Sequence, residues 1–325
     1  MPKPVLLTLG PMMSLIEEAI DRDFVVHRLH QAADREALLA RIGPEVAALC
    51  TGSHTGVRTD EALMARFPRL KIIGNFGVGY DSIDVPAAAR RGIVITNTPD
   101  VLTEEVADTA LGLLLVTVRE LYQAERWLRE GRWAKEGDYR LTAASLRDRS
   151  IGLVGFGRIG RAIARRIEAF GRPVSYFARH QQPGMANRYY SDLVAMARDV
   201  DTLIAILPGG PATKNIVNTA VLEALGPRGI FINMARGSVV DEAALIAALR
   251  SRKILAAGLD VYATEPQINP AFLELDNVTL LPHVGSASHH TRNAMGQLVV
   301  DNLAAFAAGR PPKTPVAETP FNGQW

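Results

Sequence analysis

The chain has 325 residues, of which 48 % are hydrophobic, so it is long enough to fill two hydrophobic cores and two domains are expected. Its 36 basic residues nearly cancel its 34 acidic ones, which argues against nucleic-acid or anionic-membrane binding and favours a small-molecule partner. The single cysteine, Cys50, excludes an intrachain disulfide and a cysteine-based metal site, and it fits a cytoplasmic protein. The longest largely apolar stretch, Ala110 to Val118, is far shorter than the ~20 residues that span a bilayer, so we expect neither export nor membrane anchoring.

In the N-terminal part, short apolar runs alternate with amphipathic ones, which is typical of βαβ units and a parallel sheet. This pattern predicts strands at Val5 to Leu9, Val25 to Leu29, Val46 to Cys50, Lys71 to Asn75 and Ile93 to Thr96. Between them it predicts helices at Ser14 to Asp21, Asp34 to Ile42 and Asp60 to Phe67. A longer helix is predicted from Thr103 to about Glu130, with Thr103 as its N-cap and acidic residues in its first turn.

The second half of the chain repeats the alternation. Gly131 to Leu146 is polar and is predicted to be irregular, and a new strand–helix series begins at Ser150. Its strands are predicted in the segments IGLVGF, VSYFA, TLIAIL, IFINM, LAAGLDV and VTLLPH. The helical periodicity of Ala287 to Ala308 predicts a last helix, and the Pro-rich remainder, Arg310 to Trp325, is predicted to be an extended tail.

A glycine-rich loop opens this second series. Gly155, Gly157 and Gly160 form GFGRIG directly after the apolar strand Ile151 to Val154 and before a predicted helix at Arg161 to Ala169. Dinucleotide binding needs one glycine for the tight turn, one for close approach of backbone N–H groups to the pyrophosphate, and one for helix–strand contact. The strand–loop–helix context therefore favours a dinucleotide site over a simple glycine-rich turn.

The end of the next strand bears on the choice of cofactor. An acid about 20 residues after the glycine loop would hold the ribose 2′-hydroxyl of NAD. Here the sequence YFARHQQP has Ala178 at that position, followed by Arg179 and His180. A guanidinium can pair with a 2′-phosphate that a carboxylate would repel. NADP(H) is therefore expected as the preferred cofactor, with NAD(H) also usable; the alternative is that Arg179 is a solvated loop cation.

Three later strands end in residues suited to carbonyl chemistry, at the end of the sheet where open α/β proteins bind ligands. Arg236 can hold the carboxylate of a 2-oxo acid and polarise the neighbouring carbonyl. Asp260 and Glu265 follow the next strand, and His283 follows the last. A histidine can protonate the alkoxide formed by hydride transfer, and a carboxylate on its other ring nitrogen favours the protonated form. Each residue alone would be read as structural, but together they predict an active site. No metal is predicted, because metal-ligand spacing is absent at the other histidines: His27, His30, His54, His180, His289 and His290.

Motifs spread along nearly the whole chain resemble the D-isomer-specific 2-hydroxyacid dehydrogenase family, and within it the glyoxylate/hydroxypyruvate reductases. They are FGVGYDSIDVPAAARRGI, NTPDVLTEEVADTALGLLL, GLVGFGRIGRAIARR, INMARGSVVDEAAL, AAGLDVYATEP and LPHVGSASHHTR. The resemblance implies an α/β protein with two Rossmann/flavodoxin-like parallel-sheet domains. Residues 1–100 and 287–325 would form a discontinuous substrate-binding domain, and residues 101–286 would form a dinucleotide-binding domain inserted into it. Catalysis would take place in the cleft.

The resemblance also implies roles for individual residues. Arg236 would bind the substrate, His283 would be the acid/base and substrate contact, and Glu265 its partner. The backbone N–H groups of Val78 and Gly79 would contact the substrate carboxylate, although these residues also fit a plain glycine-rich turn that begins a helix. The expected cofactor-binding residues are Thr103, near the nicotinamide, Gly155, Gly157, Arg158, Ile159, Gly160, Arg179, Leu207, Pro208, Ala235, Asp260 and Gly285.

The expected function is NADPH-dependent reduction of glyoxylate or hydroxypyruvate to a 2-hydroxy acid. One alternative is a reductase of bulkier 2-oxo acids such as phenylpyruvate or hydroxyphenylpyruvate, whose site would need an apolar wall near Thr51 to Thr55. Another is a corepressor-like sensor that binds NAD(P)(H) to control association with protein partners. The resemblance further implies a homodimer, formed through the apolar helix Thr103 to Tyr122 and the polar segment containing Trp133, Lys135 and Tyr139.

Overall fold

The computed structural model describes residues 2–325 and divides them into two compact units. The first contains residues 2–102 together with Ser288–Trp325, and the second is Thr103–Ala287. The chain therefore leaves the first unit, builds the second and returns to complete the first. No helix in the described range is both long and apolar enough to cross a membrane.

The first unit is built on a five-stranded, fully parallel sheet with the order β2-β1-β3-β4-β5. The predicted strands are confirmed to within one residue at each end: β1 (Val5–Thr8), β2 (Val25–Arg28), β3 (Val46–Thr51), β4 (Ile72–Asn75) and β5 (Val94–Thr96). The strand order reverses between β1 and β3, and such a switch point leaves a crevice at the carboxyl ends of the strands.

Helices cover both faces of this sheet: α1 (Ser14–Asp23), α2 (Arg35–Ile42), α3 (Glu61–Ala65), α4 (Val85–Arg90) and α12 (His289–Ala307). Successive strand residues face opposite layers, so Leu6 packs with α1 and α12 whereas Leu7 packs with α2, α3 and α4. Asp34 and Asp60, predicted inside helices, are instead N-caps, whose carboxylates accept the backbone N–H three residues later. Beyond α12 the tail is tied to β5 by the Val316 N–H, which donates to the Ile95 carbonyl.

The second unit is built on a seven-stranded parallel sheet with the order β12-β11-β10-β9-β6-β7-β8. Its strands are β6 (Ile151–Val154), β7 (Val174–Phe177), β8 (Arg188–Tyr190), β9 (Thr202–Ala205), β10 (Ile230–Asn233), β11 (Ala256–Leu259) and β12 (Val278–Leu280). Strand β8 was not predicted, because its short RYY run lies among polar residues and pairs only with β7 at the sheet edge. The order reverses between β6 and β9, which places the glycine loop at the switch point.

The helices of the second unit are α5 (Thr103–Val118), α6 (Leu121–Arg129), α7 (Arg132–Glu136), α8 (Arg158–Ala169), α9 (Leu193–Asp199), α10 (Thr219–Leu225) and α11 (Glu242–Arg250). Side chains of α9, α10 and α11 share one hydrophobic core with the strands. Helix α5 packs against α8 and against β10, β11 and β12. Both faces of the sheet are therefore covered, as expected for buried parallel strands.

The helices of the second unit differ from the prediction. The single helix from Thr103 to about Glu130 is wrong, because Glu120 adopts a left-handed conformation with φ of 51° and separates α5 from α6. The Glu120 carboxylate is held there by the Tyr139 hydroxyl at 2.8 Å and by Arg140 at 2.6 Å, partners that local periodicity does not reveal. The polar segment after α6 is not wholly irregular, since it contains α7, and α8 begins at Arg158 rather than Arg161.

Candidate active site

The predicted reactive residues of the second unit lie where the strands of its sheet end. Because all seven strands are parallel, their carboxyl ends lie along the same side of the sheet, which is where such sheets bind ligands. The residues that follow the strands there are Gly155 after β6, Arg179 after β7, Leu207 after β9, Arg236 after β10, Glu265 after β11 and His283 after β12.

The glycine loop has the shape that a pyrophosphate requires. Gly155 has a φ of 104°, and a Cβ there would lie 2.7 Å from the Ile206 carbonyl oxygen. At Gly160, in the first turn of α8, a Cβ would lie 2.7 Å from the Gly155 oxygen, so only glycine lets the helix pack this closely. Gly157 is the N-cap of α8, and a Cβ there would meet no atom within 4 Å. The loop is thus tight where it packs and open at the helix N-terminus, where an anion is favoured.

The structure brings His283 and Glu265 together. The His283 Nδ1 lies 2.7 Å from the Glu265 Oε2, and the Tyr262 N–H donates to the Glu265 Oε1 at 2.9 Å. Burial alone would raise the pKa of Glu265, but the bonds from His283 and Tyr262 outweigh it, and the pKa lies below its usual value. With Nδ1 engaged, the other ring nitrogen, Nε2, is left for a substrate.

Asp260 holds the turn that carries His283. Its buried carboxylate accepts the N–H groups of Val284 at 2.7 Å and Gly285 at 2.8 Å, and its carbonyl accepts the His283 N–H at 2.9 Å. Burial raises the pKa of Asp260 despite these bonds. Thr109 of α5 also donates to the Gly285 carbonyl, at 3.3 Å, so the helix that Thr103 begins lies beside the same turn.

The backbone around Arg236 is held by Asn233, the last residue of β10. The Asn233 side chain accepts the Ala235 N–H at 3.0 Å and donates to the Arg236 carbonyl at 3.1 Å, and the guanidinium donates to the Ala235 carbonyl at 2.8 Å. At Gly237 a Cβ would overlap the backbone of Tyr262 and its neighbour. This close approach brings the loop after β10 against the loop after β11, and the charge of Arg236 contributes to the low pKa of Glu265.

The predicted residues of the first unit, Val78 and Gly79, lie in a turn after β4. The Asn75 amide donates to the carbonyls of Gly77 at 3.1 Å and Gly79 at 3.0 Å, and the Asn97 amide donates to the Val78 carbonyl at 2.9 Å. The N–H groups of Val78 and Gly79 form no hydrogen bond within residues 2–325. In a trans peptide the N–H points opposite to the C=O, so both donors point away from the asparagines.

The residues that hold these turns in place were not predicted: Asn75 and Asn97 in the first unit, and Asn233 and Tyr262 in the second. Asn75 and Asn233 each end an apolar strand and Asn97 directly follows one, the same signal that identified the candidate reactive residues. Tyr262 carries no such signal, because it contributes a backbone N–H whose partner is set by the fold.

Comparison with known proteins identifies the family. Residues 111–285 match the model described as D-isomer specific 2-hydroxyacid dehydrogenase, NAD binding domain. The chain belongs to the D-isomer-specific 2-hydroxyacid dehydrogenase family. The family and the fold of two parallel α/β sheets expected from the sequence are thereby confirmed. The matched segment of this dehydrogenase contains Arg236, Glu265 and His283.

Three relatives match almost the entire dehydrogenase. Hydroxyphenylpyruvate reductase of Plectranthus scutellarioides is 40 % identical over 310 residues, and glyoxylate/hydroxypyruvate reductase A of Arabidopsis thaliana is 41 % identical over 310 residues. Each match covers 95 % of this chain and 98 % of the relative. The NADPH-dependent glyoxylate/hydroxypyruvate reductase of Sinorhizobium meliloti, solved in complex with NADP and malonate, is 52 % identical with a TM-score of 0.92, covering 98 % of each chain.

Proposed function

We propose that this dehydrogenase uses NADPH to reduce small 2-oxo acids, in particular glyoxylate and hydroxypyruvate, to 2-hydroxy acids. The observation that carries the proposal is the 2.7 Å contact between His283 and Glu265 at the sheet edge that also bears the glycine loop. The named activities of the Arabidopsis and Sinorhizobium relatives support the choice of substrate.

In the proposed mechanism, His283 is the proton donor. NADPH bound along the glycine loop would supply the hydride that reduces the carbonyl carbon. Because the His283 Nδ1 is engaged by Glu265, Nε2 is the atom that gives its proton to the carbonyl oxygen. Glu265 stabilises the charged imidazole and fixes its ring orientation.

Two kinds of donor are proposed to orient the substrate. The planar guanidinium of Arg236 would bind the carboxylate and polarise the carbonyl, which a lysine ammonium would do less specifically. The N–H groups of Val78 and Gly79, left without a partner in the described chain, would contact the substrate carboxylate.

The preference for NADPH is proposed to depend on Arg179. This residue is exposed in the loop that follows β7, and its side chain forms no hydrogen bond or ion pair with any residue in the range 2–325. Ala178 stands where an acid would hold the NAD ribose, so no carboxylate opposes a 2′-phosphate there. The NADP named in the Sinorhizobium structure supports this choice, and NAD(H) would remain a weaker cofactor.

A cavity in the first unit favours a second candidate substrate class, the bulkier 2-oxo acids. It measures about 250 Å³ and is lined by Pro11, Met12, Met13, His54, Phe76 and Arg292. Its apolar wall directly adjoins the turn of Val78, because Phe76 precedes Gly77, and His54 reaches it from the loop after β3. An aryl substituent would bury apolar surface there, which fits the hydroxyphenylpyruvate reductase among the relatives.

The test is NADPH oxidation with glyoxylate, hydroxypyruvate, pyruvate and phenylpyruvate, compared by kcat/KM. Highest values for glyoxylate and hydroxypyruvate are expected. A preference for phenylpyruvate would favour the second candidate, with Met12→Ala as the variant that should reduce it. Tight NADPH binding without turnover of any 2-oxo acid would contradict both and favour a nucleotide sensor.

We further propose that the enzyme is a homodimer. Large apolar side chains are exposed close together in sequence, on α6 and the segment after it: Leu121, Tyr122, Leu128, Trp133 and Leu141. Leu141 is 97 % exposed, and clustered exposed apolar side chains of this kind mark protein–protein contact surfaces. Sedimentation at micromolar concentration should give the dimer mass, and Leu141→Ser should weaken it more than Leu273→Ser, an exposed apolar control elsewhere. A stable monomer would overturn this proposal.

A further inference from the structure

The loop that carries Arg179 is short, exposed and held at both ends by tyrosine hydroxyls. Before Arg179, the Tyr189 hydroxyl donates to the Ala178 carbonyl at 3.2 Å. After it, the Gln182 N–H donates to the Tyr176 hydroxyl at 2.8 Å. The backbone on either side of the guanidinium is therefore tied to the strand pair β7–β8 rather than left to move with the loop.

Tyr176 also connects this loop to the glycine loop. Its fully buried ring stacks on Phe156 with centroids 4.1 Å apart and planes at 15°, and Phe156 lies between Gly155 and Gly157. The Tyr189 ring contacts Tyr176 at 5.5 Å. A phenylalanine would supply the same stacking, so packing does not explain the buried hydroxyl. Burying a hydroxyl is favourable only when it is hydrogen-bonded, and the Gln182 N–H is the partner it has in the described chain.

We propose that Tyr176 and Tyr189 are positioning residues for NADPH selectivity: their hydroxyls hold the 178–182 loop so that Arg179 is preorganised for a 2′-phosphate. This inference rests on the proposed role of Arg179. Without the two bonds the loop would have to be ordered when the 2′-phosphate binds, which weakens that binding. A ligand with a plain ribose does not engage Arg179 and would not be weakened.

The test compares two ligands that differ by the 2′-phosphate, 2′,5′-ADP and 5′-AMP, by calorimetry. Tyr176→Phe and Tyr189→Phe should each weaken 2′,5′-ADP binding by about 2- to 10-fold, the range for loss of one hydrogen bond, with little change for 5′-AMP. The NADPH/NADH ratio of kcat/KM should fall in parallel.

Tyr190→Phe is the matched control. The Tyr190 hydroxyl donates to Asp199 at 2.7 Å, away from the 178–182 loop, so its removal should leave the ratio of the two affinities unchanged. If the more buried Tyr176→Phe variant fails to fold, Tyr189→Phe decides the question with the same expected loss.

Equal weakening of both ligands would overturn the inference, because the tyrosines would then support the shared adenosine site or the fold. An unchanged affinity ratio would overturn it as well. Failure of the proposed cofactor choice gives a different result: the parent enzyme would bind 2′,5′-ADP no more tightly than 5′-AMP, Arg179→Ala would change neither affinity, and the inference would fall with it.

Discussion

The two units offer different kinds of candidate group to a ligand. At the carboxyl ends of the seven-stranded sheet the candidate groups are side chains: the Tyr262 N–H holds Glu265, and the Asp260 carboxylate fixes the turn after β12 so that His283 meets Glu265. In the first unit the candidate groups are backbone N–H groups, because the amides of Asn75 and Asn97 set the direction of the peptides at residues 77–79. Candidate reactive side chains can thus be predicted from a motif, whereas a backbone ligand depends on side chains that are not ligands themselves.

Removing a candidate reactive side chain of the second unit should have the greatest effect on activity. His283→Ala removes the proposed proton donor, so turnover of glyoxylate should fall by about 10²–10⁴-fold. Affinity for NADPH, measured by fluorescence titration, should remain close to that of the parent. His290→Ala, which changes an exposed histidine at the start of α12, is the control and should retain full turnover. Retained activity in the His283 variant would remove this residue from the mechanism.

The contact between two site loops should be nearly as sensitive. An alanine at Gly237 would overlap the backbone of Tyr262, so Gly237→Ala should destabilise the enzyme by about 3 kcal/mol or more and lower its activity. Gly131→Ala separates overlap from backbone strain, since Gly131 is left-handed with a φ of 71° but has open space around its Cβ. It should cost only about 1–2 kcal/mol. Thermal unfolding of both variants tests this, and equal losses would contradict the overlap argument.

The role of the backbone N–H groups in the first unit is tested by Asn97→Ala. Loss of the bond to the Val78 carbonyl frees the peptide whose N–H belongs to Gly79, so KM for glyoxylate should rise by about 10-fold, with a smaller change in kcat. NADPH affinity is the internal control and should not change. If KM is unaffected, the N–H groups of this turn do not bind the substrate.

The smallest expected effect is a shift in pH dependence. Glu265→Gln removes the negative charge 2.7 Å from the His283 ring nitrogen, so the alkaline limb of glyoxylate reduction should move to lower pH. A matching profile of KM excludes pH-dependent substrate release. An unshifted limb would mean that His283 depends on another partner.

The pH dependence of stability on the acid side follows from the pKa of Glu265, which lies below its usual value. A depressed pKa means that the carboxylate stays ionised below about pH 4.3, the ordinary glutamate value. Its stabilising contribution is therefore complete above that value and is lost only as the pH falls through the lower one in the folded protein. Acid unfolding of the parent and of Glu265→Gln should converge at the lowest pH.

The parallel strands, the glycine loop and the candidate site residues Arg236, Glu265 and His283 could be predicted from the amino-acid sequence. These features are local: a strand of the buried sheet is a short apolar run, and each candidate residue lies in the loop that follows such a run. The strands of the first unit were predicted to within one residue for this reason.

The remaining features depend on contacts that form only in the folded chain. The break at Glu120 depends on Tyr139 and Arg140, and the direction of the Val78 peptide depends on Asn97. The hydroxyl of Tyr176 acquires its hydrogen bond only when folding brings the Gln182 N–H to it. In each case the stabilising partner comes from outside the local hydrophobic pattern, so periodicity and motif spacing carry no signal for it. Local residue preferences predict a helix or a strand. Hydrogen bonds formed on folding determine where the backbone turns and which backbone groups remain available to a ligand.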